Sequence, residues 1–195
     1  WSKGSDSVSL SWIGLDWIGS MRIVIFGNSG SGKSTLAKRY AAISGVIHLD
    51  LDTVAWKENQ IGVRESIEES ESRIDLFVAE NENWVIEGCY SSLLPIALKH
   101  ASEIVFLNPG MDACLENCRS RPWESHKYQS KDEQDRNLEM LLDWVSTYQS
   151  RKDEFSWSDH KRLFDSFEGK KLEILSNTET REKGRNVENG NRAMS

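Results

Sequence analysis

Positive charge is the first thing this chain is short of. Its 24 lysines and arginines face 31 aspartates and glutamates, a formal net charge of -7. That balance argues against general affinity for a nucleic-acid backbone and leaves a polyphosphate ligand to be met by a local basic cluster. Cysteine is scarce too. Cys89, Cys114 and Cys118 are an odd number of thiols without metal-ligand spacing, read as reduced side chains of a cytoplasmic protein. Cys114 and Cys118 stand four apart on a predicted helix, and a zinc half-site there lacks partner ligands. His48, His100, His126 and His160 show no ligand spacing either and are read as structural or exposed. No apolar run approaches a membrane span. The nearest, from Leu10 to Ile18, is broken by Asp16 and lacks the basic flank and cleavage site of a signal peptide. There is no Gly-x-Ser-x-Gly, no Cys–His pairing signal and no dinucleotide fingerprint.

What is present is a phosphate-binding pattern. Gly27-Asn28-Ser29-Gly30-Ser31-Gly32-Lys33-Ser34 is a complete G-x-x-x-x-G-K-[ST] loop. Arg22 to Phe26 before it reads as a short buried strand, and Thr35 to Ala42 after it as the first turns of a helix. Glycines let consecutive backbone N–H groups turn inward around an anion, and a helix N-terminus adds positive potential behind them. Gly27 to Thr35 is therefore the expected ATP site. Lys33 is expected to reach the β- and γ-phosphates, and Ser34 to ligate Mg²⁺.

The 195 residues, 38% hydrophobic and 28% charged, suffice for one domain with a real core. Met21 is the natural start of that domain. Residues 1–20 are Ser-, Gly- and Trp-rich and read as a flexible leader or extension, or as an amphipathic docking segment carried by Trp12, Ile13, Trp17 and Ile18. Further strands are predicted at Val46–Leu49, Trp84–Ile86, Ile104–Leu107 and Leu172–Leu175. Between them lie a Glu-rich helix carrying Ile67, Ile74, Phe77 and Val78, and a short helix from Ser91 interrupted by Pro95. Further on come a helix over Asp112–Arg119, one from about Asp132 with an apolar stripe of Leu138, Leu141, Leu142, Val145 and Tyr148, and one over Ser158–Phe167. Apolar strands alternating with helices imply an α/β fold with a parallel sheet covered on both faces. The domain runs over 21–176, and 177–195 reads as a loose tail.

Other candidate residues gather at strand ends, where an open α/β sheet binds ligands. Asp50 and Asp52 follow the second strand, positioned to hold a metal-bound water or an acceptor hydroxyl or amine. Glu87 ends the third strand, with Gly88 and Tyr90 beside it, and can serve as base or hold a metal water. Arg119 and Arg121 begin a basic segment, 119–131, read as a lid that closes over the γ-phosphate. Arg136, Arg151 and Lys152 are weaker candidates.

Together these motifs resemble the small-molecule kinase branch of the P-loop proteins, the adenylate- and shikimate-kinase-like group. The likeness is closest to bacterial adenylate-kinase-related proteins labelled "DNA topology modulation". It rests on the loop, on His48-Leu49-Asp50 followed by Trp56, and on Trp84-Val85-Ile86-Glu87-Gly88-Cys89-Tyr90. The resemblance implies a three-layer P-loop fold with five parallel strands in the order 2-3-1-4-5. It also implies ATP and Mg²⁺ as ligands, Asp50 and Asp52 at the acceptor and metal water, and lid arginines at Arg119 and Arg121. Glu87 stands where Asp is common, and Asn108-Pro109 replaces Asp-x-Pro. Gly88-Cys89-Tyr90-Ser91 stands where adenylate kinases carry Gly-Phe-Pro-Arg, so the acceptor is open. The reading is a kinase-like phosphotransferase acting on a small acceptor, monomeric or homodimeric, without membrane or nucleic-acid partners. The alternative is a nucleotide-dependent regulatory or nucleic-acid-associated ATPase.

Overall fold

The structure, a computed structural model, describes residues 20–43, 45–58, 60, 62–123 and 129–194. The expectations for residues 1–19 and for the part of the lid at 124–128 fall outside them. Five strands form one sheet: β1 (Arg22–Gly27), β2 (Val46–Asp50), β3 (Asn83–Gly88), β4 (Glu103–Leu107) and β5 (Lys170–Ile174). Their order is β2-β3-β1-β4-β5 and every pair is parallel, as the resemblance implies.

Alternation along the strands divides the core between two faces. Val24, Phe26, Trp84, Ile86, Ile104 and Phe106 point one way. They meet Ile74 and Val78 of α3 (Ile67–Glu80), Leu94 and Ala97 of α4 (Leu94–Leu98) and Leu163 of α7 (Trp157–Ser166). Ile23, Ile25, Val85, Val105 and Ile174 point the other way, onto Leu36, Ala37 and Tyr40 of α1 (Lys33–Ala41). Removing these side chains from water at about 25 cal/mol per Å² is the main force joining the layers. A third, smaller cluster joins Cys114 and Cys118 of α5 (Met111–Arg119) to Val145 of α6 (Lys131–Ser146). The stripe Leu138, Leu141 and Leu142 packs against it.

Two expectations need correction. Pro95 does not interrupt its helix but sits in the first turn of α4, where its missing N–H has no intrahelical partner to lose. Of the expected loose tail, 177–195, the described residues 177–194 are helical. They form α8 (Asn177–Met194), which packs on α1 through Val187. Arg39 of α1 lies over Gly184, donates to the Arg181 carbonyl at 3.2 Å and pairs with Glu188 at 3.4 Å. One valine, one glycine and polar pairs hold this helix, so no apolar period announces it.

Strand register sets the site. Asp50 lies opposite Glu87 across β2 and β3, and Phe26 lies opposite Gly88 across β1 and β3. The carboxyl ends of three strands thus open on one edge, with the phosphate loop leaving β1, the central strand of the sheet.

Candidate active site

The loop after β1 is held from below. Gly27 and Gly30 have φ of +147° and +76°, a region that favours glycine. A Cβ at Gly27 would stand 2.2 Å from the Leu107 carbonyl oxygen, and one at Gly30 2.3 Å from that of Cys114. Asn28 is the internal brace: its Oδ1 accepts from the Ser29 N–H at 2.8 Å and its Nδ2 donates to the Val145 carbonyl at 3.2 Å. Gly27, Asn28 and Ser31 are buried and do not line the cleft above the loop. Ser29, Gly30, Gly32, Lys33, Ser34 and Thr35 do. Lys33 Nζ donates to the Asn28 carbonyl at 2.8 Å. No acidic residue and no side-chain cap occupies the first turn of α1, so its N–H groups suit an anion. The cradle fits a nucleotide polyphosphate.

The acidic residues meet as the register requires. Asp50 Oδ1 accepts from the Asp52 N–H at 2.9 Å, fixing the turn into α2 (Asp52–Ala55). Asp52 Oδ1 accepts from the Tyr90 hydroxyl at 2.6 Å, and that hydroxyl accepts from Trp56 Nε1 at 2.9 Å. Burial and the Asp52 carboxylate push the Tyr90 phenol far above its ordinary range. Glu87 is 1% exposed, and its Oε1 has no hydrogen-bond partner. Burial raises its carboxyl to about 7, against the pull of Lys33 and with a further push from Asp50. His48 Nε2 stands 3.8 Å from Glu87 Oε1, too far to bond, and burial lowers that imidazole. Among the described residues no group of three or more His, Cys, Asp and Glu could cage a metal ion. Mg²⁺ is commonly held by few protein oxygens plus substrate phosphates, and Ser34 with the nearby carboxylates fits that habit.

The lid arginines divide. Arg121 lines the cleft beside Ser120 and Pro122, while Arg119 does not. Arg119 is exposed at the end of α5, about 200° round the helix from Asn117, which lines the cleft, and so points away from the site.

The far wall holds what the sequence did not disclose. Asn137, Met140, Leu141 and Trp144 of α6 line the cleft at i, i+3, i+4, i+7 spacing, and Phe155 follows from the loop beyond. That second stripe beside the core stripe was the available signal. Phe155 stands edge-on to Trp144 at 5.4 Å and to Tyr90 at 5.3 Å. Arg151 lies 4.3 Å from the Trp144 ring and pairs with Asp153 at 3.0 Å. Arg64 lies 4.5 Å from the Tyr90 ring and pairs with Glu154 at 3.1 Å. On the opposite side, Asn117 Nδ2 donates to the Gly30 carbonyl at 2.7 Å and to Asn177 Oδ1 at 3.0 Å. Thr180 and Arg181 of α8 complete that side of the cleft. Its volume of about 880 Å³ is ample for a nucleotide and a small acceptor. His160 is structural: its Nε2 donates to the Cys89 carbonyl at 2.8 Å, and its Nδ1 accepts from Tyr148 at 2.7 Å.

No protein-family model matches this sequence, and no curated protein matches it. Solved structures do resemble it. A gluconokinase from Sinorhizobium meliloti 1021 aligns over 90% of this chain and 93% of its own, with a TM-score of 0.50 and 18% identity. A sugar kinase from Janibacter sp. HTCC2649 aligns over 90% and 92%, with a TM-score of 0.47 and 13% identity. At such identity the likeness to the gluconokinase establishes the three-layer α/β fold and nothing finer.

Proposed function

We propose that this protein is an ATP-dependent phosphotransferase that moves the γ-phosphoryl group to a small acceptor. The observation that carries the reading is one cleft in which a glycine-rich loop, Lys33 and Ser34 face Asp50, Asp52 and Glu87. Phosphoryl transfer asks mainly for positioning and charge neutralisation. Lys33 and the loop N–H groups would hold the polyphosphate, and Arg121 would face it from the lid side. Ser34 with Glu87 or Asp50 would hold Mg²⁺ or its waters, and when bound that ion supplies further neutralisation of phosphate charge. Asp50 and Asp52 would orient the acceptor. Glu87, in the ionised fraction that a value near 7 leaves at neutral pH, is suited to take the acceptor's hydroxyl proton. Kinase-like structural neighbours support this reading at the level of fold.

The test separates binding from transfer. Asp50→Asn and Glu87→Gln are expected to bind Mg·ATP within a few-fold of the parent. Acceptor-stimulated ADP formation should fall by about 10²-fold or more, the usual scale for a lost acid–base group. Equal turnover in the parent and both variants would overturn the assignment of these carboxylates.

A further inference from the structure

The phosphate loop is pinned at one peptide in its middle. The Gly30 carbonyl and the Ser31 N–H belong to the same planar unit. Asn117 Nδ2 of α5 donates to that carbonyl at 2.7 Å, and the Ser31 N–H donates to the Asn28 carbonyl at 3.2 Å. Both ends of the plane are therefore held. The plane sets the course of the chain that carries the Gly30 and Gly32 N–H groups, and both glycines line the cleft. Amides that must converge on an anion lose affinity when a peptide between them is free to rock.

Asn117 is held in its turn by Asn177, the first residue of α8. Asn117 Nδ2 donates to Asn177 Oδ1 at 3.0 Å, and Asn177 Nδ2 donates to Asn117 Oδ1 at 3.1 Å. With its bond to Gly30, the pair uses both hydrogens of the Asn117 amide and fixes which end of it meets the loop. The start of α8 is itself secured. Ser176 Oγ accepts from the Glu179 N–H at 3.2 Å, and Glu179 Oε2 accepts from the Leu175 N–H at 2.9 Å. One turn on, Thr180 comes against the loop a second time: a Cβ at Gly32 would meet its methyl group at 3.5 Å. Away from the cleft, α8 is docked by Arg39, Glu188 and Val187 and by the Lys183–Glu103 pair at 3.4 Å. Neither Arg39 nor Glu188 lines the cleft.

We propose that Asn117 and Asn177 are positioning residues that link the docking of α8 to nucleotide binding. With α8 in place, the amide pair and Thr180 hold Gly30 and Gly32 in their anion-binding arrangement, and Arg181 adds a cation to the cleft wall. Linkage is reciprocal: a nucleotide on the loop holds α8 down by the factor by which docked α8 raises its affinity. A helix kept by one valine and polar pairs sits low enough in stability for such a factor to show. The inference rests on nucleotide binding at the loop, as in the reading above, and not on the acceptor.

The experiment measures Mg·ATP affinity of the full chain by calorimetry, and amide exchange over 177–190 with and without saturating Mg·ATP. In the parent, nucleotide should slow the exchange of α8 about five-fold or more, the low end of ordinary coupling. Asn117→Ala and Asn177→Ala should each weaken Mg·ATP by a similar factor. The double variant should lose little more than either alone, because both act through one contact. Arg39→Ala and Glu188→Ala loosen α8 from outside the cleft and change the charge in opposite directions. Linkage makes both weaken Mg·ATP, whereas charge alone would make Arg39→Ala weaken it and Glu188→Ala strengthen it. Opposite shifts in that pair overturn the linkage. So does a parent that binds Mg·ATP with no change in α8 exchange, or Asn177→Ala binding as tightly as the parent. Any of these leaves phosphotransfer standing. A folded parent that binds no Mg·ATP overturns the phosphotransferase reading itself, and the linkage falls with it.

Discussion

Glu87 is where stability and function pull apart. Its ordinary value is 4.5 and burial raises it to about 7. Between those values the folded protein keeps a proton that the unfolded chain has released. Stability therefore falls as pH rises through that window, and the penalty is complete above it. Glu87→Gln removes a penalty on the order of 3 kcal/mol at pH 8. Urea unfolding should show the variant more stable than the parent at pH 8, the gap closing toward pH 5, while phosphotransfer is lost. A variant less stable than the parent at pH 8 would contradict this account of the burial. His160 answers to a different constraint. With Nε2 given to the Cys89 carbonyl, Nδ1 depends on the Tyr148 hydroxyl. Tyr148→Phe should cost about 1–3 kcal/mol, the usual range for stranding a buried polar atom, again read by urea unfolding.

Elements, more than single side chains, decide how the loop is shaped. The loop is pressed between the end of β4 and the body of α5, and Gly30 is the point of contact. Gly30→Ala must move either the loop or the Cys114 carbonyl 2.3 Å away. ATP affinity is expected to fall at least ten-fold, measured by calorimetry, with a lowered melting temperature; unchanged affinity would show that the loop has room to give. Helix α8 matters in the same way from the other side, because it brings Asn177, Thr180 and Arg181 to the cleft. Arg39→Ala removes its side-chain hydrogen bond and ion pair with α8. Amide exchange should accelerate through 177–190 while the sheet stays protected, and an unchanged exchange pattern would mean that Val187, the Asn117–Asn177 bond and the Lys183–Glu103 pair dock the helix without Arg39. The five strands and the helices over α1, α3, α5, α6 and α7 were legible because buried sheets and amphipathic helices write their period into the chain. Helix α8 was not legible, since its docking uses a glycine notch and charge pairs. Pro95 is ambiguous in sequence because a first-turn proline and a helix break look alike until the helix start is known.

At the scale of the molecule, the parallel sheet brings residues far apart in sequence to one edge. Lys33, Asp50, Asp52, Glu87 and Arg121 were visible beforehand because each follows a recognisable strand or motif. Trp144, Phe155 and Asn137 were not, because an acceptor wall is assembled from helix faces with no motif of their own. Arg119 shows the converse: a residue in the right segment whose helical phase turns it outward. No helix among the described residues is long and apolar enough to cross a membrane, and the cleft is the feature that most constrains function. The most direct measurement follows the γ-phosphorus of labelled Mg·ATP through one turnover experiment, with amino alcohols, nucleosides, nucleoside monophosphates and sugar acids supplied in turn. The account predicts label in an organic phosphate made from one of these acceptors, well above the label released to water. Label found solely in inorganic phosphate, whatever acceptor is present, would contradict it.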